Sequence, residues 1–352
     1  MKSRQHLVLI RLSAMGDVAM TVPVVKAALQ QNPNLKITIV TKAFFGKLFL
    51  HLPEVNVIEA KLKSTHKGIK GLWQLSSEIS QLNPDYIVDL HNVLRSRLIC
   101  GFLKLRGFDY RRFRKGRKQK RALTKLNSNK KLKALKSTHE RYASALKRYK
   151  LKIDLSKLNL DQKLTVPNTT LQQIPFNLNE EVVIGIAPFA AHKPKQYPLN
   201  LLDKVITELA PHTKILLFGG GKAEVSALNQ LSNSYHNCFS VAGKFNFEDE
   251  LALISNLDLM LSMDSGNGHL AAMFGVKVMT VWVTTHPAAG FAPFRQSKDD
   301  CFLPDLNQFP LLPLSVYGNK MIDGYENVAE SILPSTISER IKNYLNKKTT
   351  CD

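Results

Sequence analysis

The stretch LVLIRLSAMGDVAMTVPVVKAAL, residues 7–29, decides the fold of this chain. It begins with the continuous apolar run Leu7–Ile10, which is typical of a parallel strand buried on both faces. After a short turn, apolar residues recur at helical spacing from Val18 to Gln30, which predicts one helix. The next apolar run, Ile37–Val40, predicts a second strand, so the chain opens with a β-α-β unit.

The same alternation continues on both sides of residues 154–180, a polar stretch that contains proline. Further strands are predicted at Val55–Ile58, Tyr86–Leu90, Val182–Ile186, Lys214–Phe218, Phe239–Ala242, Leu257–Ser262 and Lys277–Val283. Helices are predicted between them, including Trp73–Leu82, Glu140–Tyr149, Leu199–Ala210, Glu224–Leu231 and Phe247–Ser255. Repeated β-α units favour parallel sheets covered by helices. We therefore predict an α/β protein of the GT-B type, with two Rossmann-like parallel-sheet domains facing a central cleft.

The length of 352 residues fits two domains. We place the first at residues 1–170, the second at 171–330 and a helical tail at 331–352. No apolar run approaches the roughly 20 residues that span a bilayer, and the opening residues do not resemble a secretory signal. A cytoplasmic location is expected. The four cysteines are scattered without CxxC spacing, which argues against a zinc site or a disulfide framework.

Positive charge is concentrated in one segment of the chain. The formal net charge is +21, and residues 104–150 hold 17 of those charges. Such a block is commonly a solvated surface run, and it could also bind nucleic acid through phosphates or an anionic membrane surface. The basicity therefore belongs to this segment and not to the fold.

Three turns follow predicted strands, at the edge where open parallel sheets bind ligands. The first contains Asp17, whose carboxylate is either a helix N-cap or a general base facing the ligand. The second, Pro188–Pro198, contains Lys193 and Lys195, which are either solvated or neutralise an anion. The third, Met263–His269, is either an N-cap followed by a core histidine or a phosphate site at a helix N-terminus. No GxGxxG motif is present, so a standard dinucleotide fingerprint is not supported.

Together these turns resemble the ADP-heptose:lipopolysaccharide heptosyltransferase family, glycosyltransferase family nine. The resemblance covers nearly the whole chain and is strongest in residues 7–29, in KQYP at 195–198 and in DSGNGHLAAMFGVKV at 264–278. Residues 89–96 and the Glu140-Arg141-Tyr142 triplet match more weakly. The resemblance implies an inverting, metal-independent transferase that moves a heptose from ADP-heptose to the inner core of bacterial lipopolysaccharide without a cofactor.

The resemblance also implies roles for individual residues. Asp17 matches the catalytic aspartate of the family, which takes the proton from the acceptor hydroxyl. The second domain would bind the nucleotide sugar through Lys195, Glu224, Phe245, Asp264, Ser265, Gly266 and His269. Within that set Lys195 would contact the donor phosphates, Glu224 the ribose and Phe245 the base. The first domain, with its basic segment 104–150, would bind the acceptor through Ser13, Arg95, Arg111, Arg112 and Arg114.

The partners that the resemblance implies are a nucleotide sugar and an anionic lipid A–core acceptor. Peripheral contact with the cytoplasmic face of the inner membrane is expected from the basic segment, and no specific nucleic acid is expected. Two alternatives remain open from the sequence. One is a GT-B transferase or epimerase for another nucleotide sugar, and the other is an RNA- or membrane-binding protein with a vestigial catalytic fold.

Overall fold

A computed structural model describes residues 4–127, 132–160, 162–178 and 180–349. The chain divides into two compact units by its internal contacts. Unit 1 comprises Met1–Gly116 and Lys136–Leu160, and unit 2 comprises Arg117–Leu135 and Asp161–Asp352. Part of the basic segment therefore packs with the second half of the chain. The domain boundaries drawn from the sequence stay a prediction.

The first half of the chain alternates strands and helices as its opening residues indicate. Its strands are β1 (Gln5–Ile10), β2 (Leu35–Thr41), β3 (Val55–Glu59), β4 (Tyr86–Asp89) and β5 (Arg111–Arg112). Its helices are α1 (Met15–Ala19), α2 (Val22–Gln31), α3 (Ala43–Gly46), α4 (Gly68–Gln81), α5 (Leu94–Leu105), α6 (Arg117–Leu123) and α7 (Thr138–Leu146). All of these belong to unit 1 except α6.

The sheet of unit 1 is parallel, with strand order β3-β2-β1-β4-β5. Its central strand is β1, in which Leu7 pairs with Ile37 of β2 on one side and with Tyr86 of β4 on the other. Leu7 and Ile10 are fully buried. A strand that is covered on both faces and paired on both edges must be apolar throughout, which explains its unbroken hydrophobic run.

The second half of the chain forms unit 2 around a second parallel sheet. Its strands are β6 (Val183–Ala187), β7 (Lys214–Leu217), β8 (Cys238–Ser240), β9 (Leu259–Met263), β10 (Lys277–Val281) and β11 (Cys301–Phe302). Its helices are α8 (Asn168–Leu171), α9 (Leu199–Leu209), α10 (Lys222–Ser232), α11 (Phe247–Ser255), α12 (Gly266–Ala272) and α13 (Pro334–Thr349). The strand order β11-β10-β9-β6-β7-β8 is the doubly wound order of a Rossmann fold. Two Rossmann-like parallel sheets, as predicted from the sequence, are confirmed.

The single helix predicted from Val18 to Gln30 is wrong. The structure has two helices there, because α1 ends at Ala19 and α2 begins at Val22. Pro23 explains the break: proline has no N–H to donate, and its ring clashes with the carbonyl four residues earlier. At the second position of a new helix neither defect matters, since the first N–H groups of a helix have no partner within it.

The C-terminal helix α13 packs onto α9 and belongs to the core of unit 2. Ile337 and Ile341 are fully buried, and the Ser338 hydroxyl donates to the Glu208 carboxylate at 2.6 Å. Pro334 is the first residue of α13, which explains why the predicted helical pattern is interrupted there. Across the described residues, no helix is long and apolar enough to cross a membrane.

Two helical glycines of unit 1 test how closely other parts of the chain approach α4 and α5. Gly71 lies in α4, where an added Cβ would lie 2.3 Å from the carbonyl carbon of His66 and 2.8 Å from the Thr65 carbonyl oxygen. Gly101 lies in α5 with nothing within 4 Å of its added Cβ. We expect Gly71→Ala to lower the free energy of unfolding by about 1–3 kcal/mol, since backbone cannot move aside cheaply.

The matched variant Gly101→Ala should instead raise the free energy of unfolding by about 0.5–1 kcal/mol, because alanine has the higher helix propensity. Urea unfolding followed by circular dichroism measures both. Equal effects in the two variants would contradict the close approach at Gly71.

Candidate functional site

The strand order identifies where each unit can bind a ligand. In both sheets the order reverses beside the first strand, between β1 and β4 in unit 1 and between β6 and β9 in unit 2. Loops diverge at such a switch point and leave a crevice at the carboxyl ends of the strands. The segment that follows β1 carries Asp17, and the segments that follow β6 and β9 carry Lys195 and Asp264. Topology and sequence thus select the same residues.

An ion pair joins the two switch-point turns of unit 2. The Lys195 ammonium lies 2.9 Å from the Asp264 carboxylate, and the Thr285 hydroxyl donates to that carboxylate at 2.8 Å. The two charged side chains are only 12% and 11% exposed. Water screens such a pair poorly, so the attraction between the two charges holds the Lys195 ammonium in one position. The Lys195 side chain keeps a small exposed fraction.

The position of the Lys195 side chain depends on Gly318, which no sequence motif marks. Gly318 has a φ of +69°, and a Cβ there would lie 2.1 Å from Cγ of Lys195. The turn itself is held by Thr284, whose hydroxyl donates to the Pro194 carbonyl at 2.8 Å. Neither residue lies in a motif, so only the folded structure reveals them.

Ser265 stands at the N-cap position of α12 without capping the helix. Its hydroxyl oxygen is buried and has no hydrogen-bond partner in the part of the chain that the structure describes. Gly266 is the first helical residue, and His269 is buried one turn later. The N-cap interpretation of this turn is therefore wrong for the Ser265 side chain, and burial of His269 agrees with the core-histidine alternative.

The remaining predicted donor residues lie at the same edge of the sheet. Glu224 is in the first turn of α10, after β7, and its carboxylate accepts the Gly220 N–H at 2.8 Å. This bond closes the Gly-rich turn. Phe245 lies half-buried between β8 and α11. Neither side chain contacts the Lys195–Asp264 pair in any described interaction, but both follow strands on the β7 side of the switch point.

In unit 1 the carboxylate of Asp17 is paired with a buried arginine. Arg11 forms an ion pair with Asp17 and also donates to the Leu90 carbonyl at 2.8 Å. Asp17 is the third residue of α1, whose N-cap position is Ala14, so its interpretation as an N-cap is wrong. The Arg11 side chain is 6% exposed and that of Asp17 is 31% exposed. The carboxylate is thus held on one side and open to solvent on the other.

Two ionisable groups at the carboxyl end of β4 complete the switch point of unit 1. Asp89 is fully buried and accepts the N–H groups of Asn92 and His91 at 2.7 and 2.9 Å. Burial raises the pKa of Asp89, and these hydrogen bonds oppose the rise. The pKa of His91 is lowered to about 3, first by burial and then by the charge of Arg11 and other nearby cations.

The predicted acceptor residues have different environments. Ser13 is partly exposed beside α1, and Arg95 is exposed at the start of α5. Arg111 lies with its guanidinium 5.1 Å from the centre of the Tyr149 ring, and Arg112 donates to the Tyr110 hydroxyl at 2.9 Å. Arg114 is exposed. Arg111 and Arg112 are therefore packed strand residues and not mobile arms.

The basic segment as a whole is divided between the two units. Arg111 and Arg112 belong to unit 1, whereas α6 belongs to unit 2. In α6 the Lys120 ammonium lies 3.4 Å from the centre of the Phe291 ring and the residue is 8% exposed. A buried cation–π contact of this kind has a structural role. Among the described residues, no three His, Cys, Asp or Glu side chains come together as candidate metal ligands.

Comparison with known proteins gives a family match. The model of the family described as glycosyltransferase family 9 (heptosyltransferase) matches residues 72–310. Among curated proteins, the lipopolysaccharide core heptosyltransferase OpsX of Haemophilus influenzae is 24% identical over 294 residues, which cover 80% of this chain and 80% of that protein.

Solved structures of similar proteins cover almost the entire chain. A glycosyltransferase family 9 protein from Veillonella parvula superposes with a TM-score of 0.73 at 16% identity, covering 99% of each chain. The ADP-heptose lipopolysaccharide heptosyltransferase II of E. coli gives a TM-score of 0.67 at 19% identity, covering 98% of this chain and 100% of the other. The chain shares their fold, which confirms the GT-B class predicted from the sequence.

The depressed pKa of His91 predicts a pH dependence of stability. The unfolded chain protonates this histidine as the pH falls through its ordinary pKa of 6.5, whereas the native state resists protonation until about pH 3. The stabilisation from neutral His91 is therefore fully present above pH 6.5 and is lost as the pH falls toward 3. We expect His91→Gln to reduce the decline of the urea-unfolding free energy between pH 6.5 and 4.5. Above pH 7 the two proteins should have the same pH slope, and identical slopes below pH 6.5 would contradict the assignment.

Proposed function

The chain belongs to glycosyltransferase family 9, the heptosyltransferase family, and we propose that it transfers a heptose from ADP-heptose to the inner core of bacterial lipopolysaccharide. It is a glycosyltransferase. The names of its relatives support the finer proposal, since one is a lipopolysaccharide core heptosyltransferase and another an ADP-heptose lipopolysaccharide heptosyltransferase. The observation that carries the proposal is the Lys195–Asp264 pair at the switch point of unit 2.

Lys195 would neutralise the diphosphate of the donor. As the sugar departs, negative charge grows on the oxygen that linked it to the diphosphate, and a fixed ammonium stabilises that charge more in the transition state than in the ground state. A carboxylate so near a diphosphate would oppose its binding. We therefore assign Asp264 to hold Lys195 and to accept a hydroxyl of the sugar.

Ser265 would donate a hydrogen bond to the same diphosphate. Its buried hydroxyl lacks a partner among the described residues, and a buried hydroxyl left unpaired costs about 1–3 kcal/mol. A ligand oxygen at this position would recover that energy. The first N–H groups of α12, beginning at Gly266, have no partner within the helix and would add donors. His269 follows on the same helix and would support the turn from inside.

Asp17 would act as the general base of an inverting displacement. Inversion in one step needs one carboxylate to take the proton of the attacking hydroxyl, on the face of the sugar opposite the leaving group. Asp17 has an exposed side from which to do so, while Arg11 holds its other side. Arg11 is thus a positioning residue. Lys195 and Ser265 supply the charge stabilisation that a metal provides in other transferases, so the proposed reaction is metal-independent.

The other assignments follow the same division between units. In unit 2, Glu224 would bind the ribose and Phe245 the base. In unit 1, Ser13, Arg95, Arg111, Arg112 and Arg114 would bind the anionic lipid A–core acceptor. Arg95 and Arg114 are exposed and would also draw the enzyme to the anionic cytoplasmic surface of the inner membrane, where each basic residue contributes about 1 kcal/mol.

The direct test is transfer of heptose from ADP-heptose to a heptose-free core oligosaccharide by wild type and by Asp17→Asn. Loss of a general base lowers kcat by about 10²–10⁴-fold. We expect a loss in that range with ADP affinity unchanged, because the donor would bind through unit 2. Calorimetric titration with ADP measures the affinity and also reports whether the variant is folded.

Turnover near the wild-type rate in Asp17→Asn would remove Asp17 from its role. Absence of transfer by the wild-type protein, together with turnover of another nucleotide sugar, would overturn the choice of donor while leaving the family assignment intact.

A further inference from the structure

Unit 1 contains a cavity of about 310 Å³ between α7 and the residues at and just after β5. Five cationic side chains line it: Arg112, Arg114, Lys136, Arg141 and Arg148. Among the described residues that line this cavity there is no carboxylate. Arg112 has a counter-ion behind it, since its Nε lies 3.6 Å from the Asp89 carboxylate. An enclosure with this charge attracts an anion.

One helical face forms the floor of the cavity. Arg141, Ser144, Ala145 and Arg148 line it and are spaced at i, i+3, i+4 and i+7, which places them on one side of α7 and of the helical turn that follows it. The two small residues in the middle leave room above them. The two arginines stand at either end, so that both guanidinium groups can reach one ligand.

Arg141 is held in place before any ligand binds. Its Nε donates to the Lys136 carbonyl at 2.9 Å, and Nη1 donates to the Arg114 carbonyl at 3.3 Å. Gly116, with a φ of +66°, leaves space for this guanidinium, because a Cβ there would lie 2.6 Å from Nη1. Burial also lowers the pKa of Arg141. A guanidinium that two backbone carbonyls hold in one position is arranged to bind a ligand.

The one acidic residue of α7 does not neutralise these charges from the cavity wall. Glu140 accepts the N–H and the hydroxyl of Ser137 at 2.7 and 2.9 Å, and so caps the start of the helix. Lys136 donates to the Ser144 hydroxyl at 2.5 Å, which places its ammonium over the floor. The local polar groups therefore organise the cations, and among the residues that line the cavity no carboxylate neutralises them.

We propose that this cavity binds a phosphomonoester group of the glycolipid acceptor. The inference rests on the proposed function and adds to it a subsite that includes Lys136, Arg141 and Arg148. A phosphomonoester carries close to two negative charges near neutral pH and offers three oxygens, which suits several guanidinium groups converging from two walls. Arginine pairs with phosphate in a two-bond geometry that lysine cannot provide.

The test compares two acceptors with three proteins. The acceptors are O-deacylated, heptose-free lipid A–core oligosaccharide with its phosphates intact and the same material treated with phosphatase. The proteins are wild type, Arg148→Gln and the control Lys152→Gln, which removes one charge from an exposed surface position of the same unit. Arg148 is exposed, and the described interactions include no hydrogen bond or ion pair of its side chain. Its replacement should therefore leave the fold intact. The readout is kcat/KM for heptose transfer.

For the phosphorylated acceptor we expect Arg148→Gln to lower kcat/KM by about tenfold to a hundredfold, mainly through KM, as loss of a charged hydrogen bond implies. For the dephosphorylated acceptor, wild type and Arg148→Gln should be equal. Lys152→Gln should match wild type on both. Lys136→Gln, which removes a second cation that lines the cavity, should repeat the pattern of Arg148→Gln. This second variant excludes an effect peculiar to one position.

Several results would overturn the inference. If transfer occurs but is indifferent to the acceptor phosphates, the inference fails while the proposed function stands. If Arg148→Gln weakens binding to vesicles of phosphatidylcholine and phosphatidylglycerol but not transfer to the soluble phosphorylated acceptor, the cavity serves the membrane instead. If the wild-type protein transfers heptose to neither acceptor, the proposed function fails and the inference fails with it.

Discussion

The ion pair between Lys195 and Asp264 is the contact on which the proposed donor site of this enzyme depends. It joins the turns after β6 and β9, the two adjacent strands between which the sheet order of unit 2 reverses. The loops that follow these two strands diverge and leave an open crevice. The charged pair joins the two loops and presents an ammonium to a ligand. Thr285, after β10, and Gly318, after β11, support the pair, so four separate parts of unit 2 determine where the Lys195 nitrogen lies.

Unit 1 also has an ion pair at its switch point, but the more buried and the more exposed charge are exchanged. Arg11 directly follows β1. It donates a hydrogen bond to the Leu90 carbonyl, after β4, and forms an ion pair with the Asp17 carboxylate. Here the buried partner is the cation and the more exposed partner is the carboxylate. One unit therefore presents an ammonium and the other presents a carboxylate. This arrangement is compatible with membership of glycosyltransferase family 9, which the family match shows.

The sequence predicted most of the fold, because the buried strands β1, β6 and β9 have local apolar runs and each precedes a turn rich in small or charged residues. It also selected Asp17, Lys195 and Asp264 through a family resemblance. It did not predict β5 or β11, since two-residue strands have no periodicity. Thr285 and Gly318 could not be found either, because their importance comes from contacts distant in sequence. The cavity beside α7 was hidden for a related reason: within a block of 17 net positive charges, nothing local distinguishes the arginines that line a cavity from those in solvent.

The most direct measurement is the affinity for ADP, by calorimetry, of Lys195→Met compared with Lys193→Met. The two lysines lie in the same short turn, but only Lys195 is paired with Asp264. Loss of a charged hydrogen bond should weaken binding by about tenfold to a hundredfold in Lys195→Met, while Lys193→Met should bind as wild type does. The double variant Lys195→Met/Asp264→Asn, which leaves no unpaired carboxylate, should remain weak. Wild-type affinity in Lys195→Met, or equal losses in both lysine variants, would contradict the assignment of the donor site to this pair.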